Sequence, residues 1–180
     1  WEKTMKSLDK IAPEQFIHGV NECSIPMSRN TDAFSAVDTD ARVGLLYEPP
    51  LTYVLSKMEI CGWRLGDYVA MPQLCIRTDY DSAPSRIALK QGKIARHPRV
   101  IDWHRVDVGP IVLVARQKYW LVARAISLNI IKEAKDGQNI PVMVEQPDGK
   151  WIQMENQSEP SFRPILRFYG RILPMDKVGF

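Results

Sequence analysis

The chain has few cysteines, and their spacing carries no motif. Its 180 residues include three, Cys23, Cys61 and Cys75, and none forms a CxxC pair. Three cysteines are too few for a disulfide framework, although a single Cys61–Cys75 bridge is left open. The pattern therefore predicts reduced, mostly buried thiols and an intracellular, reducing compartment.

A long uncharged apolar run is also missing. The most apolar stretch, residues 106–131, contains Asp107, Arg116, Lys118 and Arg124. A membrane-spanning helix needs about 20 residues with few or no charges. The sequence therefore predicts no membrane span, and we expect this stretch to form core strands.

Signatures of catalysis and of metal binding are absent as well. No GxSxG elbow and no glycine-rich loop before a helix pattern is present. The three cysteines and three histidines have unrelated spacings, which do not make a zinc signature. The acidic pairs Asp38/Asp40 and Asp79/Asp81 lack the other ligands of a calcium loop, and we interpret them as turn residues. No cofactor and no metal site is predicted.

One arrangement keeps an enzymatic hypothesis open. Asp102 and His104 are two residues apart in a predicted strand, where the carboxylate could orient the imidazole ring. A cysteine could serve as the nucleophile of a hydrolase or transferase. No local motif marks any cysteine as activated, so this is the third of three functional hypotheses.

The composition is that of one globular domain. Hydrophobic residues make up 45% of the chain and charged residues 25%, which is enough for a full core. The 13 prolines outnumber the 10 glycines and separate short segments. We expect a single β-rich domain over 1–180, with a helical arm at 1–20 and a long loop at 21–40.

The helical arm is predicted from spacing. Trp1, Met5, Leu8 and Ile11 recur at roughly helical intervals. Pro13, followed by Glu14, is typical of the first turn of a second short helix.

Strand patterns dominate from residue 41 onward. Apolar and β-branched segments are separated by turn signals such as Gly109-Pro110 and the Pro-Asp-Gly-Lys sequence at 147–150. Segment 82–98 is the exception, because Ser85 could cap a short helix that ends at Gly92. The order favours a mainly β fold, an antiparallel meander closed as a barrel or stacked as a sandwich. An α+β fold is the alternative. We expect the centre of the sheet in a buried hairpin within 106–131.

Charge is the strongest functional signal. Residues 1–85 carry 8 Lys and Arg against 12 Asp and Glu, whereas residues 86–180 carry 16 against 9. Positive charge concentrates early in the second half, where Asp102 is the only nearby carboxylate. Such a run can neutralise phosphates; the alternative is a solvated face. The candidate polyanion-binding residues there are Arg86, Lys90, Lys93, Arg96, Arg99 and Arg105.

The last strand pattern, in segment 162–173, adds a second candidate surface. Alternation places Arg163, Arg167, Tyr169 and Arg171 on one face, an arrangement that resembles the sheet surface of a nucleic-acid reader. The alternative is an amphipathic edge strand protected by its charges.

These observations favour a non-catalytic binding or assembly module. Its expected partner is a polyanion, most of all a nucleic acid, or an acidic protein. The second hypothesis is a structural subunit of a larger particle, such as a viral coat or matrix-type protein, that self-associates through its arm and long loop.

Arg124 raises a question of its own, since it is the one charge on an otherwise apolar strand face. If Arg124 is buried, it must have a partner; if it opens onto a groove, it extends the basic surface on either side.

Overall fold

The computed structural model describes residues 13–19, 31–34, 42–64, 73–93, 102–124, 126–131, 142–153, 163–164 and 166–173. Every regular element among them is a β-strand, which confirms the mainly β prediction. None of these residues belongs to a helix that could cross a membrane.

Fourteen strands lie within the described ranges. They are β1 Gln15–Gly19, β2 Thr31–Phe34, β3 Arg42–Tyr47, β4 Tyr53–Arg64, β5 Gln73–Tyr80, β6 Ala83–Lys93, β7 Asp102–Val106, β8 Ile111–Leu113, β9 Tyr119–Arg124, β10 Ile126–Ile131, β11 Val142–Glu145, β12 Trp151–Gln153, β13 Arg163–Pro164 and β14 Leu166–Ile172.

The strands form two antiparallel sheets, and neither closes into a barrel. The eight-stranded sheet has the order β1-β14-β4-β10-β13, with β2 paired to β10, and β7 and β8 paired to β4. The six-stranded sheet has the order β12-β11-β3-β9-β5-β6. Of the two predicted architectures, the sandwich is therefore correct and the barrel is wrong.

The main core lies between the sheets. It contains Val43 and Leu45 of β3 and Leu121 of β9 on one side, and Leu55 and Phe168 on the other, all at most 3% exposed. Alternate side chains of a strand point to opposite faces, so each strand contributes every second residue to this core. Burial of a side chain of this size stabilises the fold by about 1.5–3 kcal/mol.

Strand β9 is buried on both faces. Trp120 and Val122 face away from the main core and form a second cluster with Cys75, and both are 2% exposed. Trp151 covers this cluster and packs over Gly44, where an added Cβ would lie 3.3 Å from the indole ring. The Cys75 thiol is free, so the Cys61–Cys75 bridge left open by the sequence is not formed.

The predicted helices are corrected where the structure describes them. Residues 15–19 form β1, which pairs with β14, so the short helix expected after Pro13 is wrong; residues 1–12 lie outside the described ranges. Segment 82–98 contributes β6 rather than a helix. The Ser85 hydroxyl does not cap a helix; it accepts a hydrogen bond from Thr78 Oγ1 at 3.0 Å across the β5–β6 hairpin. Part of the expected loop at 21–40 is strand β2, and the remainder of that loop is not described.

The expected central hairpin within 106–131 is also corrected. Strand β8 pairs with β4 in the eight-stranded sheet, whereas β9 lies between β3 and β5 in the other sheet. Val112 of β8 is 47% exposed, so only β9 has the central position that its apolar pattern predicted. The chain then returns to the eight-stranded sheet in β10.

Candidate anion-binding site on the outer face of the six-stranded sheet

The outer face of the six-stranded sheet, which points away from the main core, collects arginines from three neighbouring strands. Arg42 is the first residue of β3, Arg77 lies within β5 and Arg124 ends β9. Each alternates with core residues, such as Val43, Ile76 and Ala123. The three guanidinium groups therefore belong to one face of the sheet.

These arginines line one depression with a volume of about 60 Å³. We call it the arginine depression; its lining residues are Arg42, Gln73, Cys75, Arg77, Ala88, Gln91, Val122 and Arg124. Among the described residues, the lining includes three cations and no carboxylate or histidine. Pockets for drug-sized ligands measure about 300–1,000 Å³, so the space here suits one small charged group.

Arg77 has a buried donor without an acceptor in the part of the chain that the structure describes. Its Nη1 donates to the carbonyl oxygen of Ser85 at 3.2 Å. Its Nε–H is buried and has no hydrogen-bond acceptor among the described residues. A buried donor of this kind indicates that an acceptor comes from solvent or from a ligand.

Arg42 forms an ion pair with Glu145. Its Nη1 lies 2.8 Å from Glu145 Oε2 on β11, and the two side chains are 39% and 19% exposed. Arg42 is also directly opposite Arg124, which in turn is opposite Gln73. A polar row thus crosses β11, β3, β9 and β5 at one end of the sheet.

Two tryptophans of the second cluster, Trp120 and Trp151, lie on the same face as this row. Trp151 is opposite Glu145 in the β11–β12 hairpin and is half-buried. Trp120 is fully buried, and its Nε1 donates to Asp79 Oδ1 at 2.6 Å. The face therefore combines cations with one partly exposed indole ring, a combination that suits phosphates and bases.

The basic residues predicted from segment 86–105 divide between the two sheets. Arg86 and Lys90 are exposed on β6, but neither lines the arginine depression, and Lys90 lies opposite the core residue Ile76 rather than on the outer face. Lys93 is opposite Gln73 at the end of β6, but its side chain is not described. Arg96 and Arg99 lie outside the described residues. Arg105 is on β7, in the other sheet, where it forms an ion pair with Asp107 at 2.7 Å.

Arg167 of the second predicted surface is buried rather than exposed. It is 8% exposed, its Nη1 lies 3.3 Å from Glu59 Oε2, and its guanidinium stacks 3.7 Å from the centre of the Trp103 ring. Strand β14 lies between β1 and β4, so the edge-strand alternative is wrong. Arg167 is occupied by contacts that hold the sheet together.

Tyr169, on the same strand as Arg167, also makes contacts within its own sheet. Its hydroxyl donates to Glu59 Oε2 at 3.0 Å, and the Lys57 ammonium lies 4.5 Å from its ring centre. Burial, and then this hydrogen bond, raise the pKa of Tyr169 above its ordinary value. Arg171 is exposed on the same strand, and Arg163 belongs to β13, where its side chain is not described. The two predicted surfaces meet only in part, since Arg105 and Arg167 flank Glu59.

The pair considered for catalysis does not form an open site. His104 is 1% exposed and is opposite the core residue Ile60; the side chain of Asp102 is not described. Cys75 belongs to the other sheet, and the arginine depression supplies it with no histidine or carboxylate. Among the described residues, no group of three or more His, Cys, Asp and Glu could hold a metal ion.

Sequence reasoning raised Arg124 as a question and missed Arg42 and Arg77. Arg42 and Arg124 are the only charges of β3 and β9, and Arg77 shares β5 with Asp79; each alternates with apolar residues, which indicates its face of the sheet. The pairing of β3 with β9 and of β9 with β5 joins distant parts of the chain, and no local pattern encodes it. No protein family model matches the chain, and no curated protein shows significant sequence similarity to it.

Proposed function

We propose that the protein is a non-catalytic binding module that holds a nucleic acid across the outer face of its six-stranded sheet. The observation that carries this proposal is the convergence of Arg42, Arg77 and Arg124 on one depression. Guanidinium groups bind phosphate oxygens through paired hydrogen bonds, which favours arginine at such sites.

The arrangement of polar and aromatic residues on this face favours a single-stranded nucleic acid as the ligand. The polar row from Glu145 to Gln73 crosses four strands, which are about 4.8 Å apart. Trp151 lies beside one end of this row and offers a partly exposed ring on which a base can stack. Arg86 adds exposed positive charge on β6.

The test compares two triple variants that remove the same charge. One replaces the arginines of the depression (Arg42→Gln, Arg77→Gln, Arg124→Gln). The matched control replaces exposed cations elsewhere (Arg105→Gln, Lys118→Gln, Arg171→Gln). Binding of a fluorescent oligothymidine is followed by anisotropy across a salt titration, and circular dichroism checks that both variants fold.

The wild-type affinity should fall as salt rises, with a log–log slope of about −0.7 for each phosphate neutralised. Loss of the three arginines should reduce this slope by about 2, whereas the control variant should keep the wild-type slope. An equal loss in both variants would mean that the depression has no special role. Salt-independent or absent binding by the wild type would refute the proposed function.

A further inference from the structure

Arg42 lies between the arginine depression and a carboxylate outside it. Its strand β3 has β11, which carries Glu145, on one side, and β9 and β5, which carry the depression, on the other. Arg42 belongs to the lining of the depression and Glu145 does not. The Nη1 of Arg42 nevertheless donates to Glu145 Oε2 at 2.8 Å. A carboxylate from outside the site thus binds one of the cations that line it.

The ion pair between Arg42 and Glu145 is open to exchange. A guanidinium has five N–H donors, and the hydrogen bond to Glu145 engages one of them. Both side chains are partly exposed, and ion pairs that water can reach are weak because solvent screens the charges. A phosphate can make two parallel hydrogen bonds to a guanidinium. A phosphate in the depression can therefore take Arg42 away from the carboxylate.

Loss of Arg42 is unfavourable for Glu145. In the described ranges, Arg42 is the cation in ion-pair contact with this carboxylate. The Glu145 side chain is 19% exposed, so water replaces only part of the lost interaction. Any ligand that engages Arg42 must offset this cost, and the cost lowers the affinity of the site.

We infer that Glu145 is an internal competitor for Arg42, a carboxylate that a phosphate of the ligand displaces and that thereby limits affinity. The inference rests on the proposed function and deepens it, because it assigns a regulating residue to the same site. Trp151 lies directly opposite Glu145, so a strand that stacks on this ring also passes the competing carboxylate.

The first test removes the charge of the competitor. Glu145→Gln keeps the size of the side chain, and it should tighten binding of fluorescent oligothymidine by about two- to fivefold, the range expected for the loss of one partly exposed ion pair. The matched control is Asp148→Asn in the turn of the same β11–β12 hairpin. It removes the same charge from an ion pair with Lys150, 3.2 Å away, and should change the affinity much less.

Both affinities are measured by anisotropy at constant ionic strength. Weaker binding by Glu145→Gln would mean that the carboxylate holds Arg42 in place for the ligand. Equal tightening in both variants would reduce the effect to net charge. Either result would overturn the competitor role.

A double-mutant cycle with Arg42 tests how Glu145 acts. If the carboxylate works through Arg42, Glu145→Gln should no longer raise the affinity when Arg42→Gln is also present. The same gain in the presence and in the absence of Arg42 would contradict the inference. Circular dichroism checks that the single and double variants fold.

Failure of this inference can be told apart from failure of the proposed function. If the wild type binds oligothymidine and Glu145→Gln gains nothing, the competitor role falls and nucleic-acid binding stands. If no variant binds the strand, the proposed function falls, and inorganic phosphate becomes the probe for Glu145. Phosphate, compared with chloride at equal ionic strength, should raise the midpoint of thermal unfolding more in Glu145→Gln than in the wild type. Equal increases would overturn the inference.

Discussion

Arg42 and Arg124 lie directly opposite each other on the paired strands β3 and β9. Like charges in this position destabilise a sheet by a few tenths to about 1 kcal/mol relative to neutral pairs. Glu145 lies 2.8 Å from Arg42, and none of the described residues that line the depression is a carboxylate. An anion bound in the depression would contact residues of both strands.

Phosphate should stabilise the folded protein through this site. A ligand that binds only the native state at 100 times its Kd adds about 2.7 kcal/mol to the free energy of unfolding. We expect a higher midpoint of thermal unfolding in phosphate than in chloride at equal ionic strength. Arg77→Gln should lose this difference and Arg105→Gln should keep it; an equal shift in both variants would indicate a general salt effect.

The two apolar strands β8 and β9 should differ sharply in their contribution to stability. Leu121 of β9 is 1% exposed and Val112 of β8 is 47% exposed. Leu121→Ala should cost about 2–5 kcal/mol through lost burial and a cavity, whereas Val112→Ala should cost much less. Urea unfolding measures both, and similar costs would contradict the assignment of β9 alone to the centre of the sandwich.

The contrast between β8 and β9 shows what the sequence could specify. Alternation and apolar content are local, so they predicted a succession of strands from residue 41 onward, and the Pro147–Lys150 turn followed from its dihedral preferences. Which sheet a strand joins depends on residues that are far apart in the sequence, so local patterns do not predict it. Strands β9 and β10 look like one long strand, yet they pair in different sheets.

The dependence of the fold on pairing between distant strands also explains the incorrect helix predictions and the failure to predict the arginine depression. Pro13 and Ser85 carry local helix-start signals, but pairing of β1 with β14 and of β6 with β5 satisfies those backbones as strands. Arg42, Arg77 and Arg124 become one site only when β3, β9 and β5 are neighbours. The charge asymmetry of the sequence predicted a basic surface but not these residues.

Arg167 should prove structural rather than ligand-binding. Its loss leaves Glu59, whose side chain is 21% exposed, without its cation and removes the stack on Trp103. Arg167→Met should reduce the free energy of unfolding by about 1–3 kcal/mol. The exposed Arg171→Met on the same strand is the control and should change it by less than about 0.5 kcal/mol. Oligonucleotide affinity should stay unchanged in both variants. A loss of affinity in Arg167→Met alone would instead support the binding surface predicted from the sequence.

The buried tyrosines should make the fold sensitive to high pH. The hydroxyls of Tyr47 and Tyr53 are 3.0 Å apart in the core. Burial raises the pKa of Tyr47 to about 12 and raises that of Tyr53 further. The folded state thus holds these protons more tightly than the unfolded state. Stability is fully present below pH 10 and declines as the pH rises beyond it.

For Tyr47 alone, the decline between pH 10 and 12 should reach about 2 kcal/mol, since one pKa unit corresponds to about 1.4 kcal/mol. Tyr47→Phe removes this proton, so its unfolding free energy should fall less over the same interval. Urea titrations at pH 9 and 11 measure the difference. Parallel declines in both proteins would argue against a buried, titrating Tyr47.

The most direct test of the anion-binding face is to locate a bound strand on the protein. Amide chemical shifts of the labelled protein are followed during titration with oligothymidine. The largest changes should lie around the arginine depression, at Gln73, Cys75, Arg77 and Val122, with little change at Lys57 and Tyr169 on the eight-stranded sheet. Changes centred on Tyr169 and Arg105 instead would contradict the placement of the ligand on the six-stranded sheet.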